Sequence, residues 1–158
     1  FGGAASDWVG PGSGVTDGAF ANKIQVVEMA VGRIGSEDPL AQLAQVGGRE
    51  LCAIAGAVVA ARKARIPVIL DGFICTAAAA PLKHLNRSNL DHCLAGHVSA
   101  EPGHRRLLEA LAMEPLLDMG LRLGEGSGAV LAAGIVKAAI ACHSGMATFG
   151  EAGVSDAT

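Results

Sequence analysis

The chain has 158 residues, of which 51% are hydrophobic and only 3% aromatic, with no tyrosine and a formal net charge of -3. That length suffices for one domain with a real core, and the lack of any basic run argues against a nucleic-acid or anionic-membrane partner. The apolar residues are mainly Ala, Val, Leu and Ile, and 22 glycines accompany them. This composition suits helices packed closely on a β-branched parallel sheet rather than an all-β sandwich.

Residues 1–13 read as loop, with Trp8 and Val9 as a short strand running into the glycine turn at residues 10–14. Thr16 or Asp17 can cap the next helix, whose apolar face is Phe20, Ile24, Val27 and Val31 at helical spacing. Lys23 lies on that helix, as either a solvated side chain or an ammonium directed at an anion in the glycine turn. Asp38-Pro39 predicts a capped start for a short helix ending before Gly47-Gly48. A longer helix over residues 49–64 carries Arg62, Lys63 and Arg65 at its end, where the dipole favours cations.

Residues 66–70 form an apolar run without alternation, the pattern of a parallel strand buried on both faces. Asp71-Gly72 follows, at the strand end where open α/β sheets bind ligands; a plain strand-end turn would use the same two residues. Further on, the pattern predicts a helix over 74–85, a strand within 90–98, and a helix from Pro102 through Met113. A turn or third strand is expected at 115–119, then a long helix from Ser127 to Ser144 and an aperiodic tail. Alternating helices and strands make a single α/β domain over residues 1–158, with a largely parallel sheet.

Leu121-Arg122-Leu123-Gly124-Glu125-Gly126-Ser127-Gly128 stands before that last helix. Glycines on both sides of Glu125 let a ligand or another backbone approach its carboxylate, and Ser127 is a natural N-cap. The same Glu could simply complement the helix dipole.

No GxGxxG, Walker lysine, GxSxG elbow or paired zinc-type spacing occurs, and His92, Cys93 and His97 are the nearest approach to a metal cluster. Cys52, Cys75, Cys93 and Cys142 lack a CxxC frame and read as buried reduced thiols of a cytoplasmic protein. No signal peptide is visible, and the apolar run at 129–142 is short for a membrane span and contains Lys137. What remains is three glycine-bearing turns, at 10–14, 71–72 and 124–128, that could share one sheet edge and suit a phosphate or sugar phosphate.

Six motifs occur in order: Asn22-Lys23-Ile24, Val46-Gly47-Gly48, Ile54-Ala55-Gly56, Leu70-Asp71-Gly72-Phe73, His97-Val98-Ser99-Ala100-Glu101 and Arg122-Leu123-Gly124-Glu125-Gly126-Ser127-Gly128-Ala129. The series resembles the nicotinate-nucleotide–dimethylbenzimidazole phosphoribosyltransferase family. The resemblance implies a Rossmann-like α/β fold, a homodimer, small-molecule substrates (nicotinate mononucleotide and a benzimidazole) and no metal or redox cofactor. It makes Glu125 the general base, with Leu123 lining the base pocket and Lys23 at the site's edge. It also puts Gly12 and Ser13 near the 5′-phosphate, and Asp71, Gly72 and Ser99 near the ribose or the nicotinate.

Members of that family are considerably longer, so the chain resembles their C-terminal part. The portion without a counterpart carries a second functional carboxylate in a Gly-Glu-Met/Leu-Gly motif. Three expectations follow: that portion is truncated or cleaved off, it resides on a separate N-terminal fragment, or this stretch alone is a nucleotide- or base-binding module without turnover.

Overall fold

The computed structural model describes residues 1–12, 14 and 17–155. Three short parallel strands, β1 (Val68–Leu70), β2 (Cys93–His97) and β3 (Pro115–Leu117), form a sheet in the order β1-β2-β3. Val68 pairs with Cys93, Leu70 with Ala95, and His97 with Leu117. Among the described residues six helices flank them: α1 (Asp17–Val31), α2 (Pro39–Val46), α3 (Gly48–Lys63), α4 (Phe73–Leu85), α5 (Pro102–Ala110) and α6 (Ser127–Gly145). The α/β class with a parallel sheet is therefore the one the sequence predicts.

Strand alternation decides which helix covers which face. Leu70 and Cys93 join Ala55, Val58, Ala79 and Leu82 in a buried cluster, which puts α3 and α4 on one face. Ala95 packs with Leu108 there, and Leu107 and Leu111 meet Ala80 with Trp8 beside them, so α5 extends the same layer. The opposite face takes α6, which contacts all three strands. At Gly96 a Cβ would stand 3.0 Å from Ile69 and 3.2 Å from the Ala129 Cα, so glycine lets α6 lie close to the sheet.

Several element boundaries differ from the sequence expectation, each for a local reason. Trp8 and Val9 form no strand, because Asp7, Trp8 and Val9 donate their amides back to Ala4 and Ala5 in a 3-10 turn. The second strand begins at Cys93, since residues 87–90 form a 3-10 turn capped by the Asn86 side chain on the Ser88 amide. Helix α5 stops at Ala110, short of Met113, because Ala112 turns left-handed at φ 51°. The Ala112 and Met113 amides then close onto Glu109 and Leu108 in a Schellman end. Arg65, at φ 57°, ends α3 by the same device, without the glycine that usually serves. Thr16, one of two candidate caps for α1, lies outside the described residues.

The cysteines also depart from expectation. All four are free, but only Cys93 is buried; Cys75 is half-buried, and Cys52 and Cys142 are exposed. Helix α6 has 19 residues, longer than the apolar run that suggested it, and is long and apolar enough to cross a membrane by length and composition alone. Its buried residues, Gly128 and Ala132, are those that face the sheet.

A Cβ at Gly128 would fall on the His97 imidazole, whereas one at Gly134, later in the same helix, meets nothing within 4 Å. Gly128→Ala is therefore expected to destabilise the chain by about 1–3 kcal/mol through overpacking. Gly134→Ala should stabilise it by up to about 1 kcal/mol through helix propensity. Thermal melting of the two variants checks the contrast, and equal behaviour refutes the close packing at His97.

Candidate active site

All three glycine-bearing turns meet at the C-terminal edge of the sheet, and side chains from three different connections join them. Asp71 follows β1 directly and is 9% exposed. Its Oδ2 accepts from the Gly126 amide at 3.2 Å and its Oδ1 from the Ala129 amide at 2.8 Å. A carboxylate from the far end of β1 thus caps α6, where the first amides of a helix have no partner of their own.

Ser127 was the residue expected to do this. The N-cap is instead Gly126, left-handed at φ 77°, and the Ser127 hydroxyl is buried without a hydrogen-bond partner among the described residues. The reason is positional. With Gly126 turned left-handed, Ser127 already belongs to the first helical turn, and the free amides point at Asp71.

Glu125 lies in the turn that this cap holds. Gly124, Glu125 and Gly126 have φ values of 79°, 57° and 77°, three successive left-handed residues. For the two glycines this is easy; for a side-chain-bearing glutamate it costs of order 1 kcal/mol or more. The Ser127 amide donates to the Gly124 carbonyl at 3.0 Å, closing the turn. Glu125 is exposed, and no hydrogen bond or ion pair engages its carboxylate among the described residues. Leu123, two residues earlier, is 73% exposed on the same loop.

The glycine turn near the start of the chain is clamped by charges. Lys23 reaches from α1 and donates to the Gly10 carbonyl at 2.6 Å. Glu101, at the head of α5, accepts the Gly12 amide at 3.0 Å, and Arg122 donates to the Gly12 carbonyl at 2.7 Å. Gly12 has φ 66°, and the Lys23 ammonium stands 3.8 Å from where its Cβ would be. Lys23 is thus half-buried, with its ammonium on a backbone carbonyl of the glycine turn rather than fully solvated. Ser13, assigned to the same turn, lies outside the described residues.

Beneath this surface a buried polar network joins the ends of β1 and β2. His104 is fully buried. Its Nδ1 accepts from the Ser99 amide at 2.9 Å, with the Ser99 hydroxyl at 3.1 Å. An amide can only donate, so Nδ1 carries no proton and the ring proton sits on Nε2. That proton is directed at Thr76 Oγ1, 3.1 Å away, and Thr76 passes its own on to the Gly72 carbonyl at 2.9 Å. Gly72 and Ser99 are thus tied together from below, and a Cβ at Gly72 would contact the His97 ring at 3.4 Å. His97 is 2% exposed, with its Nδ1 3.8 Å from Asp71 Oδ1 and without a hydrogen-bond partner among the described residues.

Glu101, Arg122, Thr76 and His104 were not singled out from the sequence as site residues. Glu101-Pro102 carried one usable signal, a carboxylate directly before a proline-opened helix. Arg122 carried none, because its partner Gly12 lies 110 residues away, and the Thr76–His104 link spans 28. His92 and Cys93 do not converge with His97: His92 Nε2 lies 3.0 Å from the Val58 carbonyl, inside the α3 layer. No group of three His, Cys, Asp or Glu side chains among the described residues is arranged to hold a metal ion.

Burial lowers the His104 pKa to about 4, helped by His97 and opposed by Asp71. Between the unfolded value near 6.5 and about 4, the unfolded chain binds a proton that the folded one refuses, so stability falls as pH falls through that window. The loss is of order 3 kcal/mol at about 1.4 kcal/mol per unit. Thermal melting from pH 7 to 4 should show this decline, and His104→Gln, less stable at pH 7, should show a flatter one. An unchanged slope in that variant refutes the assignment.

Comparison with known proteins bears on this edge. A family model described as Phosphoribosyltransferase matches residues 1–154. Nicotinate-nucleotide--dimethylbenzimidazole phosphoribosyltransferase of Rhizobium johnstonii is 60% identical over 158 residues, covering 99% of this chain and 47% of the relative. The protein of that name in Brucella anthropi is 59% identical over 157 residues, covering 98% and 46%. The crystal structure of CobT from Thermus thermophilus matches with a TM-score of 0.90 and 46% identity, over 98% of this chain and 46% of that one. The chain therefore spans about half the length of the curated relatives it matches.

Proposed function

The chain belongs to the phosphoribosyltransferase family whose model it matches, and from that premise we propose that it carries the base for phosphoribosyl transfer from nicotinate mononucleotide to 5,6-dimethylbenzimidazole. In this reaction one benzimidazole nitrogen bonds to C1′ as the C1′–N bond to nicotinate breaks. The bonding pair returns to the pyridine ring, which leaves neutral, and C1′ is inverted to the α-riboside. Glu125 takes the proton from the second benzimidazole nitrogen, giving α-ribazole 5′-phosphate and nicotinate, a step in building the lower ligand of cobalamin.

One observation carries the assignment: Glu125 is a carboxylate in a strained left-handed turn, with no hydrogen bond or ion pair among the described residues, between two glycines at the sheet's C-terminal edge. Strain held in place at such an edge is a mark of function, and the missing side chains on either side leave room for a flat heterocycle. On the same reading Leu123 lines the base pocket. Gly12 and Ser13 lie by the 5′-phosphate with Lys23 at its edge, and Asp71, Gly72 and Ser99 border the ribose or the nicotinate. The chain is then a single domain, the C-terminal part of a longer cytoplasmic homodimeric enzyme working without a metal or redox cofactor.

In the full-length protein, Glu125→Gln is expected to lower turnover by about 10²–10⁴-fold, the usual share of a general base. Nicotinate mononucleotide binding, followed by calorimetry, should change little. Near-normal turnover rules out Glu125 as the base.

A second reading, a nucleotide- or base-binding module without turnover, draws on the coverage of 47% of the Rhizobium relative. Assaying nicotinate release by this chain alone separates the two. Robust release dismisses the module; binding without release supports it.

A further inference from the structure

Asp71 is the feature of this edge whose side chain is fully committed inside the protein. Its two oxygens accept the Gly126 and Ala129 amides, and the His97 Nδ1 lies 3.8 Å from Oδ1. The Gly126 amide belongs to the peptide unit that joins Glu125 to Gly126. Because that unit is planar, holding its N–H toward Asp71 sets the ψ of Glu125 and the φ of Gly126 together. The second bond, to Ala129, fixes the axis of α6 against the same carboxylate, so the turn cannot rotate about the helix start.

No hydrogen bond or ion pair steadies the Glu125 carboxylate itself among the described residues. The direction in which it leaves the backbone is therefore set by this peptide plane. The Gly128 contact with His97 holds the helix from the other side, since a Cβ there would strike the ring.

We propose that Asp71 is a positioning residue for Glu125: by accepting the Gly126 and Ala129 amides it holds Glu125 in the left-handed conformation that aims its carboxylate at the acceptor base. In this role Asp71 acts through the backbone of the turn, from its place beside the ribose or the nicotinate. The inference rests on the reading of Glu125 as the base. It assigns Asp71 a task different from the ligand contact that the sequence resemblance implies for it.

The test is a double-mutant cycle in the full-length enzyme. Asp71→Asn keeps the size and one acceptor oxygen but cannot accept both amides. It should lower kcat by about 10–100-fold, the scale on which a displacement of about 1 Å acts, while KM for nicotinate mononucleotide stays within about threefold. In the Glu125→Gln background, where there is no base left to aim, Asp71→Asn should change kcat by less than about threefold. Should Asp71→Asn fold poorly, Asp71→Ser, with one small acceptor, takes its place in the same cycle.

An undiminished kcat in Asp71→Asn overturns the proposal while leaving the base assignment standing. So does a loss that multiplies undiminished onto Glu125→Gln, which marks a purely structural role, or a rise in KM with kcat unchanged, which marks a ligand contact. Near-normal turnover in Glu125→Gln alone brings down the base reading and this inference together.

Discussion

The carboxylate of Asp71, buried where β1 ends and bonded to two amides at the head of α6, is the contact on which the functional edge depends. Helix α6 lies on the face of the sheet opposite α3, α4 and α5, and its first residues must meet strand ends that come from elsewhere in the chain. Bonds between a charged acceptor and amides contribute about 1.5–3 kcal/mol each, and more is at stake when the donors are shielded from water. The helix dipole adds to the attraction, since the positive end faces the anion. With this contact made, Gly128 can sit on the His97 ring and the turn carrying Glu125 has a fixed origin.

A second constraint acts at right angles to the first. The Ser99–His104–Thr76–Gly72 chain of hydrogen bonds ties the end of β2 to the end of β1 through side chains of α5 and α4. Every member is satisfied, which is the condition under which a buried polar network rigidifies a fold. The glycine turn near the chain start is held differently, by Lys23, Glu101 and Arg122 from three separate elements. Such a turn is mostly glycine and has little side chain with which to pack, so charged side chains grip its amides and carbonyls.

Much of this was legible in the sequence where the signal is local. The apolar run before Asp71 marked a buried parallel strand, Asp38-Pro39 marked a helix start, and glycines around Glu125 marked an accessible carboxylate. Local signals failed where a distant partner decided the outcome. Ser127 has the chemistry of an N-cap, but Asp71, 55 residues before Gly126, occupies the amides. Trp8 and Val9 pair with no strand among the described residues, and their amides close on Ala5 instead. Ala112 turns left-handed because its Schellman bonds complete the end of α5, which no propensity scale anticipates for alanine.

The sequence by itself determined the α/β class, the order of the elements and the identity of the unusual carboxylate, because apolar periodicity and glycine placement act within a few residues. Only the tertiary structure decided that the three glycine turns share one edge, that His104 is a buried neutral link, and that Asp71 rather than Ser127 caps the last helix. Those outcomes rest on contacts between residues tens of positions apart, and such contacts exist only once the sheet has brought its strand ends together. Glu125 was visible as a candidate from the start; the conformation in which it is held, left-handed and free of any partner among the described residues, belongs to the fold.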